Sequence, residues 1–294
     1  MRRLIVNADD FGITPGVNRA IIEAHERGIV TSATAMASAA AFEDAVARAQ
    51  TLASMGTPFS IGCHVVLVDG TPISRSASIP SLSTNANGSA KFRGSLGEFA
   101  IAALTGRIDP AEIEAEATLQ IRRVQQAGVA VSHLDTHKHA HMFPAVLRPL
   151  LRAAKACGVR AIRNPFGPAD GLPLARITAD PKLAKRLAQM MVLRSFAPGF
   201  RREVASHGLR TPDGAFGVLV TGMLDTGLFV EIASCIPEGT WEFVCHPGYN
   251  DRDLDAVRTR LRDSREQELQ VLTSPEASQA LKSHGVQLIS FNQL

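Results

Sequence analysis

Ring surface for stacking is scarce in this chain. One Trp and one Tyr occur in 294 residues, so few platforms beyond Phe are offered to nucleobases. The net charge of +3 is too small for this length to imply a nucleic-acid partner. Cysteine is sparse as well: Cys63, Cys157, Cys235 and Cys245 show no CxxC spacing, which argues against a disulfide framework and predicts reduced thiols in the cytoplasm. Cys63 and Cys245 each precede a histidine, so on a strand they point away from whatever that histidine faces and read as packing thiols. No apolar run reaches the ~18 residues of a bilayer span. Met1-Arg-Arg-Leu-Ile-Val-Asn enters a strand without the apolar region of a signal peptide. No G-x-S-x-G elbow supports a serine nucleophile. Neither a P-loop nor G-x-G-x-x-G is present to cradle a nucleotide.

Histidine, by contrast, is concentrated. Four of nine fall in Val131-Ser-His133-Leu-Asp135-Thr-His137-Lys-His139-Ala-His141-Met-Phe143-Pro144. On an extended chain Asp135, His137, His139 and His141 share one face. If the chain turns helical near Pro144, His137 and His141 become an i, i+4 pair, which is also metal-ligand spacing. A lone histidine is most often solvated or hydrogen-bonded, but this cluster beside a carboxylate points to a metal or catalytic site.

With 45% hydrophobic content the chain can bury a large core. Leu4-Ile-Val-Asn-Ala-Asp9 reads as a buried parallel strand. Residues 15–28 read as a helix with Thr14 as cap, Pro15 in the first turn and Gly28 as stop. The alternation continues with strands expected near 32–38, 59–67, 130–136, 160–163, 218–221, 241–246 and 286–291. Helices are expected near 42–54, 109–127, 144–157, 180–194, 225–235 and 251–283. Eight alternations predict one α/β domain over residues 1–294, a single TIM-like (β/α) barrel, closed or imperfect. Asp9 and Asp10, His64, Asp135 and His137, and His246 each end a different strand, where such barrels carry their active sites.

Connections 68–95, 164–179 and 195–217 are long. The first two would overhang the catalytic face as walls or lids, and the alternative for 83–90 is an insertion without structure. Residues 182–202 combine six Lys and Arg with Met190-Met-Val-Leu193, Phe196 and Phe200. The plain reading is a core-packed helix with a solvated face; the other is a surface lying against an anionic membrane or a lipid chain.

One carboxylate with two imidazoles, for instance Asp10 with His64 and His137, makes a three-ligand site with open positions. It suits Zn, Mn, Co, Ni or Fe(II) better than an all-oxygen Mg site. Water on such an ion ionises near neutral pH; Asp9 is placed to take its proton as base and His246 to protonate the leaving group. The set fits hydrolysis of an amide or ester. A two-carboxylate glycosidase using Asp9 and Asp135 is the rival enzyme, and a non-catalytic glycolipid carrier the rival binder.

Val6-Asn-Ala-Asp-Asp-Phe-Gly12, Gly62-Cys-His64-Val-Val-Leu67, the histidine-rich stretch and Cys245-His-Pro-Gly248 resemble the YdjC-like carbohydrate deacetylases in order and spacing. The resemblance implies a (β/α) barrel and metal-dependent removal of an N-acetyl group from an amino sugar. It implies Asp10, His64 and His137 as ligands of one divalent ion, zinc or magnesium foremost and Mn, Co or Ni otherwise. It implies Asp9 as base. His246 is expected as acid, with His139 or His141 as alternatives. Asp135, His139 and His141 are expected around the centre or against substrate. Val66-Leu-Val-Asp-Gly-Thr-Pro-Ile, Ile79-Pro-Ser-Leu and Lys91-Phe-Arg are similar to the hopanoid-biosynthesis-associated HpnK branch. That likeness implies an N-acetylglucosaminyl hopanoid as substrate, with free chitooligosaccharides the alternative. The enzyme is expected in the cytoplasm, with peripheral contact with the inner membrane and a homodimer as further possibilities, and no nucleic-acid partner is expected.

Overall fold

The computed structural model describes residues 1–56, 58–86, 89–168 and 171–294. The chain opens with β1 (Arg2–Phe11), α1 (Pro15–Glu26), β2 (Ser32–Ala35), α2 (Phe42–Ser54) and β3 (Ser60–Val65). Thr14 caps α1 by accepting from the Val17 N–H, with Pro15 in the first turn. A hairpin, β4 (Ser83–Ala86) with β5 (Ser89–Phe92), leads to α3 (Leu96–Leu104), α4 (Pro110–Gln126) and β6 (Val131–Thr136). Then follow α5 (Pro144–Ala156), α6 (Leu174–Ala179), α7 (Pro181–Leu193), α8 (Ala197–Ser206) and β7 (Gly214–Phe216). The last elements are α9 (Thr226–Cys235), β8 (Gly239–Cys245), α10 (Arg252–Asp255), α11 (Asp263–Thr273), α12 (Pro275–Ser283) and β9 (Val286–Ile289).

The strands build a curled parallel sheet in the order β6-β3-β2-β1-β8-β7, covered by helices. β8 takes one edge of β1. On the other edge Arg2–Ile5 pairs with β9, and Asn7–Phe11 with β2. The curl is carried towards closure by isolated bridges, Leu134 with Ile162 and Ala161 with Arg210. The result is a barrel-like α/β fold. Its lower interior is filled by Ile5, Ala161, Ile289 and Phe291. The Ser60 hydroxyl accepts from the Phe291 N–H at 3.1 Å, tying the chain end across the bottom. Polar side chains fill the upper interior, so the barrel is a solid support for whatever stands on its rim.

Several expected elements differ. Residues 160–163 contribute bridges, not a strand. The strand expected at 218–221 lies earlier, as β7: Gly217 at φ 90 turns the chain where any Cβ would strike the Val244 carbonyl oxygen at 2.1 Å. The helix expected over 251–283 breaks into α10, α11 and α12, with Pro275 and the Ser274 cap making the second break. The connection 195–217 contains α8, and α3 is a further helix between the hairpin and α4. The 68–95 segment is pinned. Glu116 accepts from the Ile73 and Ser74 N–H groups, and Glu112 from those of Ser81 and Leu82. The tip of its hairpin, 87–88, lies outside the described residues, as do 169–170 in the 164–179 connection.

Candidate functional site

Adjacent aspartates on a regular strand would point to opposite sides. Here Asp10 adopts φ 66, and the pairing of β1 with β2 shifts register between Ala8 and Phe11, so both carboxylates reach the barrel mouth. A left-handed non-glycine residue costs on the order of 1 kcal/mol, which the surrounding contacts must offset. Asp9, Asp10, His64, His137 and His246 all line one cleft of about 880 Å³.

Donor atoms of Asp10, His64 and His137 lie within 4.8 Å of one another. His64 Nε2 is 3.7 Å and His137 Nδ1 3.5 Å from Asp10 Oδ1, and the two ring nitrogens are 3.3 Å apart. Asp10 Oδ1 is buried without a hydrogen-bond partner. An ionised oxygen left so is costly, and a cation between it and the imidazoles removes the cost. Asp135 Oδ1 accepts from His64 Nδ1 at 2.7 Å, which turns Nε2 toward Asp10 and His137. A second cluster, Asp9, His64 and Asp135, has comparable spacing, but a guanidinium already fills it. The first cluster therefore fits a divalent ion, and the second does not.

That guanidinium belongs to Arg163, which is fully buried. It donates to both oxygens of Asp9 at 2.8 and 2.6 Å, meets Asp135 Oδ2 at 2.5 Å and Glu242 Oε1 at 2.7 Å. Thr34 Oγ1 adds bonds to Asp9 and Asp135, and Asn7 Nδ2 bonds Asp9. Burial alone would raise the Asp9 carboxyl, but Arg163, with His64 and His246, holds it well below the usual carboxylate range. Three carboxylates around one guanidinium leave one unbalanced: burial and the charges of Asp9 and Asp135 push Glu242 up to about 8. Asp135 is absent from the cleft lining, so it does not face Asp9 across the mouth as a two-carboxylate glycosidase would need.

His246 follows β8, with Nε2 3.9 Å from Asp9 Oδ2, and its N–H donates to Glu268 at 2.6 Å. Behind Asp10, Arg265 Nη2 donates to Oδ2 at 2.5 Å, which leaves Oδ1 as the free oxygen. Gly248 admits Arg265, since a Cβ there would meet Arg265 Cδ and Val17 Cγ2 at 2.9 Å each.

The histidine-rich stretch is neither a strand throughout nor a regular helix. After β6 it turns through His137–Met142 with positive φ at Lys138 and His139. These turns send His137 to the centre and His139 to the cleft lining, where burial pushes His139 down to about 3. His141 lies behind, its Nδ1 on Thr136 Oγ1 at 2.7 Å, away from the cleft lining. His133 points into the barrel, stacked on Phe291 at 3.5 Å and bonded to Asn7 Oδ1 at 3.1 Å. The face of its ring approaches Gly62, where a Cβ would be 2.6 Å away. Sequence reasoning missed Arg163, Glu242, Arg265 and Glu268. Arg163 ends the 160–163 run and Glu242 interrupts an apolar strand, so both had a signal; the two residues of α11 had none.

Around the centre, Lys138 pairs with Asp69 at 2.6 Å and ties the 68–95 segment to the rim. Leu96 lines the cleft, as do Arg186, Met190 and Leu193 of α7, and Arg258, Arg260 and Arg262 from the loop before α11. An apolar pocket of about 50 Å³ adjoins it, sharing Met190, Val218 and Leu219.

Residues 3–283 match the family described as YdjC-like protein. A carbohydrate deacetylase of Brevibacillus brevis is 32% identical, with 99% of each chain covered. A chitooligosaccharide deacetylase of Serratia marcescens is 33% identical over 99% of this chain and 98% of its own. A solved protein of Enterococcus faecalis V583, named for cellobiose-phosphate cleavage, superposes with a TM-score of 0.77 at 25% identity, covering 99% and 98% of the two chains.

Proposed function

The chain belongs to the YdjC-like protein family, and from that premise we propose that it is a metal-dependent hydrolase removing the N-acetyl group from an N-acetylglucosamine-type sugar. Two lines support the reading. Relatives matched over nearly their whole length are named carbohydrate deacetylase and chitooligosaccharide deacetylase. The observation that carries the chemistry is Asp10 Oδ1, buried and unpartnered, facing the nitrogens of His64 and His137.

Asp10, His64 and His137 would hold one divalent cation, zinc or magnesium. When bound, such an ion polarises the amide carbonyl and acidifies a water. Asp9 accepts the water's proton. Arg163 holds it by both oxygens, so it stays ionised and cannot rotate away. A carboxylate held this low is a weak base and takes a proton only from an acidic water. His246, at the same wall of the cleft, gives a proton to the departing nitrogen. Asp135 fixes the His64 ring, and His139 packs beside substrate.

The finer reading is a glycosylated hopanoid as acceptor, handled by a homodimer of one-domain chains, residues 1–294, in the cytoplasm at the inner membrane. Met190, Leu193, Val218 and Leu219 along the wall of the cleft support a substrate with an apolar part. Among the described residues no helix is long and apolar enough to cross a membrane. The name of the Serratia relative supports free chitooligosaccharide instead. Mass spectrometry of N-acetylglucosaminyl lipid and of chitobiose, each incubated with enzyme and a defined metal, decides. Loss of one acetyl group from the lipid alone supports the finer reading; loss from chitobiose alone replaces it, and release of reducing sugar without acetate ends the deacetylase reading.

A further inference from the structure

From Pro181 to Arg202 the chain carries Lys182, Lys185, Arg186, Arg194, Arg201 and Arg202 and no acidic residue. None of the six forms a salt bridge among the described residues. Arg186, Arg194 and Arg201 turn onto main-chain carbonyls, of Leu219 and Thr221, of Gly167 and of Asp213. Lys182, Lys185 and Arg202 are left exposed. Yet this is not a merely solvated helix. α7 buries only Leu183, while Met191 is 49% and Val192 73% exposed, so apolar side chains stand in water beside the free cations. On a helical projection Val192 shares the outward face with Lys185 and Ala188.

The inward side of the same helix, Arg186, Met190 and Leu193, lines the cleft that holds the metal cluster. Across the mouth the rim is again basic, with Arg258 and Arg260 exposed. We propose that the outward face of α7, with Lys182, Lys185 and Val192, is an interfacial helix that docks on an anionic lipid bilayer and sets the cleft mouth against the membrane surface. Charge complementarity selects the occupant: an acid-free cationic strip attracts anionic headgroups, and exposed Val192 enters the boundary between headgroups and acyl chains. This deepens the proposed function, on which it rests only for lipid as the medium that presents substrate.

The experiment is sedimentation of the whole protein with mixed phosphatidylglycerol–phosphatidylcholine vesicles and with phosphatidylcholine alone, at low and high salt. Wild type should pellet with the anionic vesicles and be released by salt. Both Lys182→Glu/Lys185→Glu and Val192→Asp should bind at least about tenfold more weakly, while releasing acetate from chitobiose, or whichever soluble sugar the wild type accepts, at the wild-type rate. Wild-type protein that stays in the supernatant, or either variant binding as well as wild type, overturns the proposal. So does retention on duplex DNA that vesicles do not displace, since the strip would then serve a nucleic acid. Binding needs no turnover, so vesicle binding without acetate release removes the reaction and leaves the surface, and the converse removes the surface alone.

Discussion

The floor and the wall of the cleft are built on opposite terms. On the floor, Asp9, Asp10, His64, Asp135, Arg163 and Glu242 are buried, come from four strands and the bridge at 162, and are held by short ionic contacts among themselves and with Arg265, which leave Asp10 Oδ1 free. On the wall, α7 fully buries only Leu183 and packs Ala184, Leu187, Met190 and Leu193 partly against the core, whereas α5, of the same length, buries Val146, Leu147, Leu150 and Leu151 among others. A buried ionic lattice is rigid because moving one member leaves another unpaired at a cost of several kcal/mol. A lightly seated helix can change its outer face at little cost. Chemistry belongs to the first kind of region, and choice of what the cleft meets belongs to the second.

Four measurements sharpen or break that contrast. The largest effect should come from the floor's free oxygen: Asp10→Ala or His137→Ala should abolish metal uptake and lower acetate release at least about a thousandfold. Elemental analysis alongside an acetate assay checks both, and full activity in metal-stripped wild type would remove the metal from the account. Next, Arg163→Met leaves buried carboxylates without their cation and should cost about 3–5 kcal/mol of stability. Denaturant melts read it, and a loss below about 1 kcal/mol would mean that water compensates the charges.

Glu242 gives a smaller, pH-dependent effect. Its folded-state pKa is raised from 4.5 to about 8, so the folded protein holds a proton that the unfolded chain releases. The stability linked to that proton is fully present below about 4.5 and is lost as pH rises to about 8. Wild type should therefore lose on the order of 2 kcal/mol more than Glu242→Gln across that window. Parallel pH–stability curves for the two proteins would contradict it. Least of all, Val192→Asp on the wall should shift stability by no more than about 0.5 kcal/mol. A drop in melting temperature comparable to that of Arg163→Met would show that α7 is core after all.

Much of this was legible because strand tips are readable. A short apolar run that ends in a polar residue announces a buried parallel strand and its rim, and Asp9, Asp10, His64, Asp135, His137 and His246 all lie at such tips. The run at 218–221 misled because Val218, Leu219 and Val220 are as apolar as a strand, yet Gly217 turns them away and the first two line the cleft wall. For the histidine-rich stretch, both regular geometries considered were periodic. Positive φ at Lys138 and His139 is set by packing and has no period to detect.

The alternation of strands and helices, the clustering of imidazoles beside Asp135, and the acid-free strip at 181–202 are written in the chain itself. These are local properties of composition and spacing. Only the tertiary structure decided that Arg265, 255 residues from Asp10 in the chain, occupies one of its oxygens and frees the other. Packing likewise makes Asp9, Asp135 and Glu242 share Arg163, and turns one side of α7 to the cleft while Val192 stays exposed. Charges find their partners through burial, and burial depends on how the sheet curls and which helix covers it, which no stretch of chain specifies alone.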